Sequence, residues 1–209
     1  MKVNNPWDKI ALSDYENHMS LDTVKQLQAM NNMMKMQLNS YQCSTAMILG
    51  VAGGNGLEHA EPTRLKKLYG VDINSEYLDV CKSRYKNLSG ILECICADLT
   101  DSESYLPKTD LLISNLLIEY IGCDCFFNVV TNTSPDYVSC IIQVNTDGGF
   151  VSESPYLHVF DDLENIHHDI EEHELEQGMH SKGYALIKRL EEKLPNGKML
   201  LQLDFRRSY

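Results

Sequence analysis

A chain of 209 residues, 43% hydrophobic and 23% charged, has the composition of an ordinary globular protein and the length of one domain. It holds no uncharged apolar run long enough to cross a bilayer, and its net charge of -12 argues against a nucleic-acid substrate, because such binding neutralises phosphates with lysine and arginine. The run Met1 to Asp8 lacks a basic-then-apolar secretion signal, so a cytoplasmic location is expected.

Residues 1–40 read as a helical cap on a domain spanning residues 41–209. Ser20 reads as an N-cap, and Leu21, Val24, Leu27, Met30, Met34 and Leu38 then recur at near-helical intervals, which predicts an amphipathic helix over residues 21–38. Met30, Met33, Met34 and Met36 are taken as fillers of an irregular core. An apolar strand over residues 46–49 then enters the turn Gly50-Val51-Ala52-Gly53-Gly54-Asn55-Gly56. Small residues at such a turn let a ligand approach the main chain, and a following helix, predicted over residues 57–67, would present free N–H groups to it. The next strand, residues 68–72, ends in Asp72, a carboxylate able to accept hydrogen bonds from both hydroxyls of a ribose. Arg64, Lys66 and Lys67 read as a solvated face.

Glycine spacing separates two nucleoside-binding readings. A dinucleotide fingerprint needs glycine at the first, third and sixth positions; counted from Gly54, the sixth is His59. The pattern Ala52-Gly53-Gly54-Asn55-Gly56 instead resembles the G-x-G-x-G turn of S-adenosylmethionine-dependent methyltransferases with the Rossmann-like (class I) fold, with Ala52 in the place of the first glycine. That family often carries an acid two positions earlier; this chain has Gly50 there.

The later elements fit the same pattern. A helix over residues 75–86 leads to a strand over residues 91–96 and then Ala97-Asp98-Leu99, resembling the family's acid near the adenine amino group. A strand over residues 110–115 runs into Asn115-Leu116-Leu117, resembling the segment beside the cofactor's sulfonium. A helix over residues 124–131 and a strand over residues 137–144 follow, with Pro135 and Asp136 at the turn. Alternating strands and helices imply a parallel sheet whose strand ends at Gly50, Asp72 and Asp98 face one crevice. Two strand-like runs, residues 184–193 and 198–206, flank Leu194-Pro195-Asn196-Gly197 and predict a hairpin. Methyltransferases of this fold close their sheet with such a pair. The expected fold is therefore α/β, three-layer and doubly wound, with a mostly parallel seven-stranded sheet, a C-terminal antiparallel hairpin and an N-terminal helical cap.

The resemblance implies S-adenosyl-L-methionine as cofactor, held by Ala52, Gly53, Gly54, Gly56, Asp72, Ile73, Asp98, Leu99, Asn115 and Leu116. It implies methyl transfer, with a small molecule as the expected acceptor. A nicotinamide- or nucleotide-dependent oxidoreductase, or a non-catalytic S-adenosylmethionine-binding protein, stands as the alternative. Tyr15, His18, Glu119 and Tyr120, from segments expected to frame the crevice, are the candidates for an optional general base.

Two further clusters are read as structural. Cys94/Cys96 and Cys123/Cys125 are spaced too closely for a zinc knuckle, so the seven cysteines are taken as core fillers and no metal site is expected. The acidic, histidine-bearing stretch from Asp161 to Glu176 carries Leu163, Ile166, Ile170 and Leu175 along it and reads as one amphipathic helix. A sharper alternative turns some of its acids toward the crevice to favour a cationic or amine acceptor. Metal binding by His167, His168 and His173 ranks third. Neither the methylated atom nor the oligomeric state follows from any motif.

Overall fold

The computed structural model describes residues 5–101, 104–145 and 149–208. Helices α1 (Leu12–Ser20) and α2 (Gln26–Ser40) precede β1 (Thr45–Leu49), β2 (Lys67–Asp72), α3 (Ser75–Arg84), β3 (Leu92–Cys96), β4 (Leu111–Asn115), α4 (Ile118–Thr133), β5 (Tyr137–Val144), α5 (Glu172–Ser181), β6 (Tyr184–Lys193) and β7 (Met199–Arg207). The strands form one seven-stranded sheet in the order β3-β2-β1-β4-β5-β7-β6, parallel up to β5 and antiparallel in the last two pairings. The order in which successive strands are laid down reverses between β1 and β4, and the crevice at such a switch point is where open α/β sheets bind ligands.

Period-two alternation sorts the sheet residues between two cores. Met47, Leu49, Leu112 and Val138 pack with Phe126 and Val130 of α4 and with Leu175 and Met179 of α5. Ala46, Ile48, Leu111 and Ile113 pack with Met34 and Leu38 of α2 and with Leu78 and Cys81 of α3. Helices thus cover both faces. The closing hairpin turns as its Asn-Gly pair predicts: Gly197 has φ +83° and Asn196 Oδ1 accepts from the Lys198 N–H at 3.1 Å.

Several local expectations are corrected. Ser20 is the last residue of α1, not an N-cap; the predicted helix over residues 21–38 starts only at Gln26, after a turn that ends at Lys25, whose φ of +50° the helical period could not reveal. No helix follows the glycine turn. Only a single 3-10 turn, Leu57–His59, forms there, because Gly54 and Gly56 hold φ of +89° and +90° and Pro62 lies close behind. Met34 of α2 covers Gly56 so closely that a Cβ there would lie 2.6 Å from its Cγ, and the N-terminus of a long helix is not formed there. The basic run accordingly lies outside any helix: Arg64 donates to Asn39 Oδ1 and to the Tyr41 carbonyl, and Lys67 pairs with Glu93 across β2 and β3.

The acidic stretch, too, is not one helix. A 3-10 segment (Leu157–Asn165) and α5 are separated where the His168 N–H donates to the Glu119 carbonyl at 2.7 Å, a tertiary bond invisible to periodicity. Phe160, Leu163 and Leu175 are buried as an apolar face requires. The cysteines are all free; Cys81 and Cys140 are buried, whereas Cys96 is exposed and donates to the Ile73 carbonyl, so core packing holds for only part of the set. No described helix is long and apolar enough to cross a membrane.

Candidate functional site

Two neighbouring cavities open at the carboxyl ends of the parallel strands. The first is lined by Gly50, Ala52, Asp72, Ile73, Ala97 to Thr100 and Asn115 to Leu117, together with Trp7, Tyr15, Tyr77, Tyr120 and Ile121. The second is lined by Tyr15, His18, Glu119, Tyr120, Gln26, Gln143, Ser152, His167 and a set of apolar residues. Trp7, Tyr15, Leu116 and Tyr120 belong to both, and Trp7 meets Tyr15 and Tyr120 edge-on at centroid distances of 5.8 and 5.1 Å. An aromatic partition therefore joins the two spaces.

Asp72 anchors the first cavity. Its Oδ2 accepts from the Ala52 N–H at 2.8 Å and its Oδ1 from the Asn74 N–H at 3.0 Å, which fixes the carboxylate while leaving each oxygen a further lone pair. Burial pushes its pKa above the ordinary range, against the lowering effect of those backbone donors. Asn74 also caps α3 and donates to the Trp7 carbonyl at 3.0 Å, while the Tyr77 hydroxyl donates to the Ile10 carbonyl at 2.7 Å. These bonds pin the segment before α1 over the tip of β2.

The other strand tips carry strain or support. Ala52 and Leu116 hold φ of +46° and +54°, left-handed values that cost of order 1–3 kcal/mol for a residue with a side chain. Asn115 exchanges two amide bonds with Gln37, each 2.9 Å, and Gln37 Nε2 also donates to Ser139 Oγ at 2.9 Å. The network continues through Ser139 and Tyr41 to the buried carboxylate of Asp204. Asp98 Oδ1 accepts from the Thr100 N–H and hydroxyl, so it caps its own turn as well as facing the cavity.

Seven of the ten cofactor candidates, Ala52, Asp72, Ile73, Asp98, Leu99, Asn115 and Leu116, line the first cavity. The remaining three are glycines placed elsewhere. Gly53 lines an adjoining recess with Tyr15, Glu16 and Asn55, where Arg84 donates to its carbonyl and pairs with Glu16. A Cβ on Gly54 would meet Tyr85 at 2.6 Å and Cys81 at 3.0 Å, so the side-chain position of this glycine is closed. Gly56 lies under Met34. Trp7, Tyr77 and Gln37 were not legible as site residues, and the lone tryptophan beside a proline was the sole hint among them.

Tyr15, His18, Glu119 and Tyr120 come together around the second cavity. Gly122, at φ +76° inside α4, separates the first turn of that helix from its regular part and lets Glu119 and Tyr120 project here. His18 Nδ1 lies 2.7 Å from Ser154 Oγ, and burial, then nearby Lys198, lowers its pKa. Burial raises both tyrosines far above their ordinary range, so their phenols stay protonated at neutral pH. Glu119 is 4% exposed, and burial raises its carboxyl to about 7. Of the acidic stretch only Leu163 and His167 reach this cavity, beside Phe160 just before it; its carboxylates do not. Among the described residues no group of three histidine, cysteine or acidic side chains is placed to hold a metal ion.

No protein-family model matches the chain, and no curated protein matches it in sequence. Solved structures do match in shape. The N-methyltransferase NodS from Bradyrhizobium japonicum, in complex with S-adenosyl-L-homocysteine, superposes with a TM-score of 0.66 at 14% identity, over 95% of this chain and 98% of that one. Geranyl diphosphate methyltransferase in complex with S-adenosylmethionine gives 0.66 at 11% identity, over 86% and 84%. The fold is that of the Rossmann-like methyltransferases. The same methyltransferase fold is similar to the [4+2]-cyclase SpnF, with a TM-score of 0.65 at 7% identity over 88% of this chain and 83% of that one, so the architecture alone does not fix a reaction.

Proposed function

We propose that this protein is an S-adenosylmethionine-dependent methyltransferase acting on a small molecule. The observation that carries the reading is Asp72, held by two backbone N–H groups at the tip of β2 and facing a cavity at the switch point of the sheet. A ribose diol suits its remaining lone pairs, and the apolar Ile73, Ala97, Leu99, Leu117 and Ile121 suit the faces of a purine, with Asp98 at its polar edge. Asn115 and Leu116 would flank the sulfonium. S-adenosylmethionine supplies an already activated methyl group, so the protein's part is to orient the acceptor, exclude water and, where needed, take a proton.

The missing helix after the glycine turn favours this over a nicotinamide cofactor. A pyrophosphate rests on the N-terminus of a helix, and here only a 3-10 turn follows; S-adenosylmethionine carries no phosphate. The free cysteines accord with a reducing, cytoplasmic setting. The net charge of -12 accords with a small acceptor over a nucleic acid.

Thermal denaturation with S-adenosylmethionine, S-adenosylhomocysteine and the nicotinamide dinucleotides tests the assignment. A ligand at about a hundred times its Kd stabilises the native state by about 2.7 kcal/mol, and that gain is expected from the two adenosyl compounds alone. Asp72→Ala is expected to weaken S-adenosylhomocysteine binding by about 1.5–3 kcal/mol through lost charge-assisted hydrogen bonds. Stabilisation by nicotinamide dinucleotides alone would overturn the proposal.

A further inference from the structure

Glu119 has a carboxylate oxygen without a partner. Its Oε1 accepts from the Gln143 N–H at 2.8 Å, but Oε2 is buried and makes no hydrogen bond among the described residues. Buried polar atoms are almost always paired, and Glu119 lines the second cavity, so its unmet acceptor points to a ligand there that donates to it as the side chain turns toward the cavity.

The surroundings define the donor. Among the described residues no lysine or arginine lines the second cavity, so an acceptor carrying a carboxylate or phosphate would meet Glu119 without a cation on the cavity wall. The other titratable groups on its walls are His18, His167, Tyr15 and Tyr120; burial lowers the two histidines and raises the two phenols, which leaves all four neutral near pH 7. Lys198 stands behind the wall with its Nζ on the Phe150 carbonyl and is lowered to about 8 by burial. The lining rings of Trp7, Tyr15, Tyr120, Phe150 and Phe160 supply the aromatic faces that attract organic cations.

We propose, resting on the methyltransferase reading, that the second cavity takes a small primary or secondary amine, bound as its ammonium between Glu119 Oε2 and these rings, and that Glu119 takes the proton that masks the nitrogen lone pair. In that step one N–H bond breaks and an O–H bond forms at Oε2. The electron pair stays on nitrogen, leaving a neutral amine beside a neutral carboxylic acid. A carboxyl poised at about 7 accepts this proton and can return it to water.

The test is calorimetric and needs no turnover. Phenethylamine, 2-phenylethanol and 3-phenylpropionate are titrated into the whole protein, with and without saturating S-adenosylhomocysteine. The amine is expected to bind at least about ten-fold more tightly than the other two, and Glu119→Gln is expected to abolish that preference while keeping its affinity for S-adenosylhomocysteine. Wild-type protein is also measured in buffers of different ionisation heat: amine binding near pH 7 should release roughly half a proton, because the complex fixes an ionisation that is half complete in the free protein. This second measurement holds even if the variant misfolds. Equal binding of the alcohol or the acid, absence of amine binding, a preference kept in Glu119→Gln, or no proton release would each overturn the inference. Failure of S-adenosylhomocysteine to bind while the amine preference persists would instead sink the methyltransferase reading and leave the amine site standing.

Discussion

Replacing Glu119 by glutamine in the ligand-free protein isolates the energetic consequence of burying an unpaired carboxyl. Burial raises that group from its ordinary 4.5 to about 7. Between those values the native state binds more protons than the unfolded chain, so stability present at lower pH is lost as pH rises through the window. At about 1.4 kcal/mol per pKa unit, ionising Glu119 in the native fold costs about 3 kcal/mol once pH exceeds its folded pKa. That is a large fraction of the ~5–15 kcal/mol stabilising an ordinary domain. Glutamine keeps the shape and the acceptor for the Gln143 N–H but cannot ionise. Urea unfolding of both proteins at intervals from about pH 4 to about pH 8.5 is expected to show similar stabilities at the acid end and an advantage of about 3 kcal/mol for the variant at the alkaline end. Asp72, His18, His167 and Lys198 are present in both proteins and cancel in the difference. A difference that stays flat with pH would refute the reasoning, because it would mean that the carboxyl ionises as if in water.

Two further substitutions separate fold from site. Gly54→Ala forces a side chain into a left-handed position packed against Tyr85 and Cys81, and is expected to lose about 1–3 kcal/mol of stability with S-adenosylhomocysteine affinity unchanged; a selective loss of affinity would return Gly54 to the ligand site. Gln37→Leu leaves the amide of Asn115 and the hydroxyl of Ser139 short of partners in a buried network, and should lower stability by about 1–3 kcal/mol in thermal or chemical melts. An unchanged melt would show that Asn115 needs no support from α2.

Much of the framework was legible in the sequence because it is written locally. The strands, α3 and the Asn-Gly turn follow from side-chain period and turn chemistry within a few residues, and the regular part of α4 begins near the predicted start, just after Gly122. Glycine content told of a tight turn but not of which glycine faces a ligand. Gly53, Gly54 and Gly56 are each covered by side chains from α1, α2 or α3, and that covering is a tertiary fact. The predicted helix after the turn failed because Gly54 and Gly56 take left-handed φ values, with Met34 of α2 packed over Gly56, and Pro62 follows closely.

By itself the sequence determined the alternation of strands and helices, the aspartates at neighbouring strand tips and the antiparallel closure, since each depends on backbone preferences and apolar spacing over one element. Tertiary structure alone decided that Asp72 is held by Ala52 and Asn74, that Trp7 stands between two cavities, and that Glu119 is buried with one oxygen unpaired. A carboxyl's proton affinity depends on the solvent and dipoles that remain around it. Those around Glu119 are set by α1, β5 and the segment through His168, brought together only when the chain folds.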